Sequence, residues 1–228
     1  MSGAPARRAV VFDLDGTLAD TAPDLQAAAN AVLAAHGAAP LSLAETVGFI
    51  GHGAPALVAR IRAARGLPAA EEPAMLRAFL HHYDWSGHER SRLHDGVPGA
   101  LERLAADGFA LGVCTNKPEA PARALLGHFG LSDRFGAVIG GDSLPVRKPD
   151  PAPLRAVLVA LGADMALYVG DSEVDEATAR AASVPFALFE HGYRKTPIGR
   201  VGDAMRFGDF AALPALARGA IARMSGRE

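Results

Sequence analysis

The 228-residue sequence predicts an α/β protein in which helices cover both faces of a parallel β-sheet and an all-helical segment is inserted after the first strand. Three observations lead to this fold class. Residues 9–12 (Ala-Val-Val-Phe) form a short apolar run, typical of a strand buried on both faces. Residues 20–88 contain only helical patterns. From residue 96 onward strand and helix patterns alternate, which indicates parallel strands joined by right-handed crossovers.

Each element follows from the spacing of apolar residues and the position of prolines. In the inserted segment Leu25, Ala29 and Leu33 recur at helical spacing, and Pro23 lies near the start of that helix, where proline is tolerated. Pro118 opens a later helix in the same way. The predicted helices cover 22–36, 53–65, 73–85, 98–107, 118–129, 151–162 and 173–182, and the predicted later strands cover 109–114, 137–140, 166–170 and 185–189.

The order of these elements divides the chain into two predicted domains. Residues 1–19 and 89–228 form the α/β core domain, and residues 20–88 form a helical cap domain. Because the insertion follows the first strand, we expect the cap to lie over the carboxyl edge of the sheet, where open α/β sheets bind their ligands.

Composition argues against several classes of protein. The net charge of −2 provides no basic surface for nucleic acid. No stretch approaches the ~20 apolar residues of a membrane helix. Residues 1–8 lead into a strand rather than into the apolar segment of a signal peptide, so we expect a cytoplasmic protein. A single cysteine, Cys114, excludes an intrachain disulfide. The sequence leaves open whether the protein is a monomer or a homodimer.

Asp13 and Asp15 are the first candidate site residues, because they follow the first strand at its carboxyl end. Alternation along an extended backbone places both carboxylates on the same side, where they can converge on one ion or one phosphate. Gly16 then allows the chain to turn sharply. A structural alternative is that Asp-Gly forms a turn and that these carboxylates cap a helix.

The later strands also end in polar residues. One runs into Thr115-Asn116-Lys117, a junction that can bind phosphate oxygens at a helix start. Lys148 precedes another helix, and a further strand ends at Asp171-Ser172, with Asp175 one helical turn on. Each alone has a structural alternative as a helix cap or a solvated charge. Together they supply the nucleophile, proton donor, metal ligands and cation that phosphoryl transfer requires.

These motifs, in this order, resemble those of the haloacid dehalogenase superfamily, specifically its phosphatases with a helical cap after the first motif. The resemblance covers nearly the whole chain and implies a Rossmann-like core and a Mg²⁺ cofactor. It implies that Asp13 is the nucleophile that forms an aspartyl-phosphate, and that Asp15 is the general acid and base. Thr115 and Lys148 resemble the residues that hold the phosphoryl group. Mg²⁺ suits the hard oxygen ligands of such a site.

The same resemblance implies a set of metal ligands and their partners. Asp171 resembles the metal ligand, together with the Asp13 carboxylate and the Asp15 backbone carbonyl. Asp175 and Ser172 are expected to support these ligands by hydrogen bonds or through water. Among related activities, dehalogenases lack the second aspartate that is present here as Asp15, and phosphonate hydrolases of this type need a cap lysine, which residues 20–88 lack.

A narrower resemblance is to the bacterial phosphoglycolate phosphatase family. It rests on the cap segment at residues 46–54, on Thr115-Asn116-Lys117-Pro118, on Lys148-Pro149-Asp150-Pro151 and on Gly192-Tyr193. It implies that 2-phosphoglycolate is hydrolysed to glycolate and phosphate. Pyrophosphate and sugar phosphates are the alternatives for a small phosphorylated substrate, and a non-catalytic binding protein is the remote one. One departure is Ser183, where these proteins usually have glycine.

The substrate's carboxylate needs donors from the cap as well as from the core. Gly51 and Gly53 can bring backbone N–H groups close to an anion, and His52 can add a charge. Asn116 is expected to contribute from the core. The alternative is that these glycines only connect two cap helices. The sequence leaves open whether Arg194 and Lys195 line the entrance to the site or lie in solvent. Lysine is rare in this chain, with three against 20 arginines, so each lysine is a stronger indication of a functional role than usual.

Overall fold

A computed structural model describes residues 6–85, 87–197 and 205–226 of the protein. Its strands, numbered in chain order, are β1 (Arg8–Phe12), β2 (Ala19–Asp20), β3 (Arg92–Leu93), β4 (Ala110–Cys114), β5 (Ala137–Ile139), β6 (Met165–Gly170), β7 (Phe186–Phe189) and β8 (Met205–Phe207). Its helices are α1 (Ala22–Ala35), α2 (Leu43–Phe49), α3 (Gly53–Ala64), α4 (Glu72–Trp85), α5 (Val97–Ala106), α6 (Glu119–His128), α7 (Ala152–Leu161), α8 (Glu173–Ala182) and α9 (Leu213–Met224).

Six of the strands form one parallel sheet in the order β5-β4-β1-β6-β7-β8, which confirms the predicted fold class. Strand β1 lies inside the sheet because its side chains are apolar on both faces. Val10 and Phe12 belong to a core shared with α5 and α9, whereas Ala9 and Val11 belong to a core shared with α7 and α8. From β1 the chain continues to β4 and β5 on one side, and it then crosses to β6, β7 and β8 on the other side. The strand order therefore reverses at β1, so the crevice for ligands lies at the carboxyl end of β1.

The inserted helices α1–α4 have a hydrophobic core of their own, built from residues that recur at helical spacing. Leu33, Ile61, Met75 and Phe79 are its fully or almost fully buried members. Each such side chain contributes roughly 1.5–3 kcal/mol on burial. The division of the chain into domains at residues 19/20 and 88/89 stays a prediction.

Two short connections tie this insertion to the sheet. Strands β2 and β3 pair antiparallel, so the chain enters and leaves the insertion through one ribbon. Beside it, the buried Asp24 carboxylate accepts hydrogen bonds from the Ser91 backbone N–H at 2.7 Å and from the Ser91 hydroxyl at 2.6 Å. A buried carboxylate needs such donors, and here they fix α1 against the returning chain.

The insertion contains one helix that the sequence analysis missed. Helix α2 includes Thr46 and Gly48, so the segment taken as a cap loop over 46–54 is mostly helical, and only residues 50–52 join α2 to α3. The missed signal was a capping box, in which Ser42 and Glu45 each bond the other's backbone N–H. The β-branched and glycine residues that follow have low helix propensity and hid the helix.

The C-terminal part also contains elements that were not predicted. Strand β8 adds a sixth strand at the edge of the sheet, and α9 packs Leu213, Ala217 and Ile221 into the core on the α5 side. Glycine and alanine between these apolar residues had weakened the helical pattern. None of the helices described by the structure has the length and apolar character needed to cross a bilayer.

Ser183 ends α8 in the left-handed conformation, with φ of 61°, which glycine adopts without steric cost. We therefore expect Ser183→Gly to raise the free energy of unfolding by up to about 1 kcal/mol, since relief of the strain exceeds the entropy cost of glycine in the unfolded chain. Urea denaturation measures this change. As a control, Ala181→Gly in the same helix should lower stability by about 1 kcal/mol. Equal destabilisation by both variants would contradict the assignment of strain to Ser183.

Candidate active site

Three adjacent strands each end in a polar residue, and these residues meet at the carboxyl edge of the sheet. Asp13 follows β1, Thr115 follows β4 on one side, and Asp171 follows β6 on the other side. At two of these ends the hydrogen bonding between neighbouring strands continues for one more bond. The Asp13 N–H donates to Val169 O at 2.9 Å, and the Thr115 N–H donates to Ile139 O at 3.0 Å. Rigid strands therefore fix the backbones of the candidate residues.

The chain turns sharply after Asp15, and Gly16 makes this turn possible. Its φ is +87°, and a Cβ there would lie 2.6 Å from an Asp171 carboxylate oxygen and 2.7 Å from the Tyr193 ring. Both the conformation and the space exclude a side chain. The turn brings Thr17 back to the sheet edge, where its hydroxyl donates to Asp171 at 2.7 Å.

Asp13, Asp171 and Asp175 form a buried acidic cluster, with one ligand oxygen from each lying within 4.8 Å of the others. Lys148 is a cation in contact with two of them, Asp13 and Asp175. Its ammonium nitrogen lies 2.9 Å from Asp13 Oδ1 and 2.7 Å from Asp175 Oδ1, and it also donates to the Tyr168 hydroxyl at 2.9 Å. The side chain of Lys148 and its three partners, Asp13, Asp175 and Tyr168, thus share one charge-assisted network.

Burial and charge together shift the pKa values in this cluster. Burial raises the pKa of Asp13 to about 6, although the ammonium of Lys148 opposes the shift. Burial, followed by the charges of Asp175 and Asp13, raises the pKa of Asp171 well above its usual range. Burial alone would lower the pKa of Lys148, but the charges of Asp13 and Asp175 raise it above its ordinary value. Lys148 therefore stays charged at neutral pH.

The chemistry of this donor set fits a divalent cation. Among the described residues it is the one group of three or more potential metal ligands brought together. Three carboxylates facing one ammonium leave a surplus of two negative charges in a buried site, and such a surplus is costly without a counter-ion. Hard carboxylate oxygens are the donors that such cations as Mg²⁺ prefer.

Asp175 supports this cluster from the first turn of α8. Its Oδ1 accepts from Lys148 and from the Tyr168 hydroxyl, and its Oδ2 accepts from the Ser172 N–H and hydroxyl in a capping box. A Cβ at Gly170 would lie 2.4 Å from the Asp175 Cβ, so the strand end must be glycine for this close approach. Sequence analysis expected Asp175 and Ser172 to assist the ligands, and this role stays a prediction.

The Asp15 carboxylate lies apart from the acidic cluster and has a cation of its own. Lys117 Nζ is 3.0 Å from Asp15 Oδ1, and the Thr21 hydroxyl donates to the same oxygen at 2.7 Å. The Lys117 side chain is only 4% exposed and lies over the ring of Tyr83, 4.2 Å from its centroid. Sequence analysis assigned no role to Lys117, although the rarity of lysine was a usable signal.

Tyr193 fastens the insertion to the acidic cluster, and its role was also not predicted. Its backbone N–H donates to Asp171 at 2.6 Å. Its hydroxyl accepts from the backbone N–H groups of Thr21 and Ala22 and donates to Asp20 Oδ1 at 2.5 Å. The start of α1 and the candidate metal ligand are therefore held by one residue, the first through its hydroxyl and the second through its backbone N–H. The Gly-Tyr motif marked this position, but the sequence did not reveal these partners.

Thr115 and Asn116 lie at the junction between the core and the insertion. Thr115 is buried, and its hydroxyl accepts from the Lys117 N–H at 3.2 Å. The Asn116 side-chain amide donates to Gly51 O and to Lys148 O, both at 3.0 Å. A Cβ at Gly53 would lie 2.7 Å from Asn116 O, so this glycine permits the close contact.

His52 differs from the expectation that it adds a positive charge. Its Nδ1 lies 3.3 Å from Arg60 Nη2. Burial, together with the charges of Arg60 and Lys195, lowers the pKa of His52 below its ordinary value. These surroundings favour the neutral ring, and a positive charge on His52 stays a prediction. Lys195, which the sequence left undecided, donates to Ile50 O at 2.8 Å and so joins the core to the insertion.

Two cavities open beside these residues, between the sheet edge and the inserted helices. The smaller, of about 50 Å³, is lined by Asp13, Asp15, Thr115 and Lys117 together with apolar side chains of the insertion. The larger cavity, of about 200 Å³, is lined by Asp13, Asp15 and Asp171, and also by His52 and Lys195. Asp13 and Asp15 thus border both.

This sheet, with an aspartate pair after its first strand and a lysine and further aspartates at the same edge, defines the class of protein. The model of the haloacid dehalogenase-like hydrolases matches residues 10–189, and the chain belongs to that family. The match runs from β1 to the end of β7 and so includes every candidate catalytic residue named above.

The particular relatives are phosphoglycolate phosphatases. The protein of that name from Cereibacter sphaeroides (strain ATCC 17029) is 50% identical over 211 residues, which cover 92% of this chain and 97% of the relative. The one from Rhodospirillum rubrum is 49% identical over 214 residues, which cover 90% of this chain and 89% of that relative. A crystal structure described as a predicted phosphoglycolate phosphatase from Haemophilus somnus 129PT has a TM-score of 0.86 at 32% identity. The match covers 94% of this chain and 99% of that chain.

The buried charges predict a large effect of removing Lys148. We expect Lys148→Met to lower the free energy of unfolding by roughly 3–5 kcal/mol, because Asp13 and Asp175 would lose their cation. Urea denaturation in metal-free buffer measures this loss. The control Arg103→Met removes an exposed charge that pairs with Asp107, and should cost at most about 0.5 kcal/mol. Similar losses for the two variants would show that Lys148 does not balance a buried surplus of charge.

Proposed function

We propose that this protein is a magnesium-dependent phosphatase that hydrolyses 2-phosphoglycolate to glycolate and phosphate through an aspartyl-phosphate. The observation that carries the proposal is the separation of the two aspartates of one motif. The Asp13 carboxylate belongs to the acidic cluster around Lys148, whereas the Asp15 carboxylate pairs with Lys117 at the small cavity. The two groups can therefore act on opposite sides of one phosphoryl group. The names of the relatives support the choice of substrate.

In the first step the Asp13 carboxylate attacks phosphorus and Asp15 donates a proton to the leaving alkoxide oxygen. The strand end fixes Asp13, and the hydroxyl of Thr21 and the ammonium of Lys117 fix Asp15. In the second step Asp15 accepts a proton from the water that attacks the aspartyl-phosphate. One residue serves both steps because giving up its proton in the first step leaves Asp15 as a carboxylate, which can then accept a proton from the attacking water in the second.

The phosphoryl oxygens need donors that are already in place before the reaction begins. We assign this role to the Thr115 hydroxyl, to Asn116 and to the Lys148 ammonium. Thr115 and Asn116 follow the end of β4, and Lys148 lies in contact with Asp13. Mg²⁺, held by Asp13 and Asp171 and by the Asp15 backbone carbonyl, would supply the positive charge that offsets repulsion between the nucleophile and the phosphate. Asp175 and Ser172 keep Lys148 and the start of α8 in position for this arrangement.

The proposed substrate is tested by steady-state kinetics with a panel of 2-phosphoglycolate, pyrophosphate and glucose 6-phosphate. With Mg²⁺ we expect kcat/KM for 2-phosphoglycolate to exceed that for glucose 6-phosphate by on the order of 100-fold, because the cavity beside Asp15 is small. We expect it to exceed the value for pyrophosphate as well, because that cavity offers one cationic side chain to a leaving group of higher charge. Excess chelator should abolish the activity, and excess Mg²⁺ should restore it. A higher value for either competitor would refute the substrate, and activity that persists in chelator would refute the cofactor.

The nucleophile is tested by Asp13→Asn, which removes the attacking carboxylate with little change in shape. We expect kcat to fall by roughly 10⁴-fold or more for every substrate, as happens when a nucleophile is removed. Circular dichroism should show an intact fold. The matched control is Asp133→Asn, an exposed aspartate far along the chain from the motif, which should keep its activity. Substantial residual turnover by Asp13→Asn would remove Asp13 from this role.

A further inference from the structure

The small cavity beside Asp15 combines apolar walls with a polar floor that carries a single positive charge. Its apolar walls come from three of the inserted helices: Leu25 from α1, Ala54 and Leu57 from α3, and Phe79, Leu80 and Tyr83 from α4. Its polar floor comes from the core and includes Asp13, Asp15, Thr115 and Lys117. Among the described residues that line it, Lys117 is the only cation. Lys117 is therefore the side chain of this cavity that can pair with the charge of an anionic group.

Lys117 is held in a defined position although it is buried. Its ammonium lies 3.0 and 3.3 Å from the two oxygens of Asp15 and 4.2 Å from the centre of the Tyr83 ring, where it makes a cation–π contact. The Tyr83 side chain also interacts electrostatically with this ammonium. These partners come from the first motif of the core and from α4 of the insertion, so the lysine sits where the two parts meet.

The direction of the reaction places the leaving group in this cavity. In an in-line displacement the leaving oxygen lies on the side of phosphorus away from Asp13. The same oxygen must come within hydrogen-bond reach of Asp15 to receive its proton. In 2-phosphoglycolate one methylene group separates that oxygen from the carboxylate. The carboxylate therefore lies next to Asp15, where the ammonium of Lys117 is located.

We propose that Lys117 binds the carboxylate of the substrate and thereby selects two-carbon phosphomonoesters that carry this group. The inference rests on the proposed function and adds a specificity-determining residue to it. The apolar walls contribute to the same selection, because the hydroxyl groups of a sugar would be buried against Leu57 and Phe79 without hydrogen-bond partners. Tyr83 orients the ammonium and acts as a positioning residue.

The other cations near the site are poorly placed for this role. Lys195 and Arg60 already donate to the backbone oxygens of Ile50 and Phe49, each at 2.8 Å. Lys195 borders the larger cavity, where the carboxylates of Asp171 and Glu173 also lie. Neither Lys195 nor Arg60 lines the small cavity beside Asp15. His52 also borders the larger cavity, and its lowered pKa favours the neutral ring.

The test compares two substrates that share the leaving oxygen, 2-phosphoglycolate and ethyl phosphate, in which a methyl group replaces the carboxylate. The quantity measured is the ratio of their kcat/KM values. We expect Lys117→Met to reduce this ratio by on the order of 100-fold, because a buried charge-assisted contact is lost for one substrate only. Lys195→Met, the matched control, should leave the ratio within about threefold of the wild-type value.

Three results would overturn the inference. An equal loss for both substrates in Lys117→Met would show that the lysine only positions Asp15. A collapse of the ratio in Lys195→Met instead would place the carboxylate in the larger cavity. A wild-type enzyme that shows no preference for 2-phosphoglycolate over ethyl phosphate would refute the proposed substrate itself, whatever the variants do.

A second variant keeps the inference testable if Lys117→Met does not fold. Tyr83→Phe keeps the ring that lies against Lys117 and removes only the hydroxyl group. We expect the substrate ratio to fall several-fold, with a greater loss of kcat/KM for 2-phosphoglycolate than for ethyl phosphate, because the ammonium is less well oriented for the carboxylate. An unchanged ratio in Tyr83→Phe would contradict the positioning role of Tyr83.

Discussion

The ammonium of Lys148 between the carboxylates of Asp13 and Asp175 is the interaction on which the rest of the site depends. Parallel strands bring the ends of β1 and β6 together, and with them several aspartates that would repel one another in a buried crevice. Lys148 offsets part of this repulsion at contact distance from two of them. The charge that remains unbalanced is negative, so the same arrangement that the fold must stabilise also suits a divalent cation, whose charge would offset the repulsion between these carboxylates and a phosphate.

A second ion pair gives the two aspartates of one motif different surroundings. Asp13 and Asp15 are one residue apart, yet the turn at Gly16 and the insertion direct their carboxylates to different cations, Lys148 and Lys117. The insertion completes both environments, since Thr21 bonds Asp15 and Tyr83 covers Lys117. In the proposed mechanism the helices beyond β2 determine what can reach the leaving side of the phosphoryl group, while the sheet edge determines the chemistry.

Much of this arrangement follows from local sequence, and the rest depends on contacts between distant residues. The buried run of β1 and the alternation of helices and strands predicted the parallel sheet, and polar residues at strand ends predicted which side chains would meet. Helix α2 was missed because its capping box was outweighed by residues of low helix propensity. The contact between Asp15 and Lys117 spans 102 residues, and neither side chain carries a local pattern that points to the other. Likewise, Tyr193 reaches the start of α1 only because of how the whole chain folds.

The central claim is that Asp13 takes up the phosphoryl group, and the most direct measurement is to find that group on the protein. Turnover of 2-phosphoglycolate is stopped with acid on the millisecond timescale, and the digested protein is analysed by mass spectrometry. The account predicts one additional phosphoryl group on the peptide that contains Asp13, with fragment ions that assign it to this aspartate and to no other residue of the motif. A phosphoryl group on Asp15 or on another side chain would contradict it.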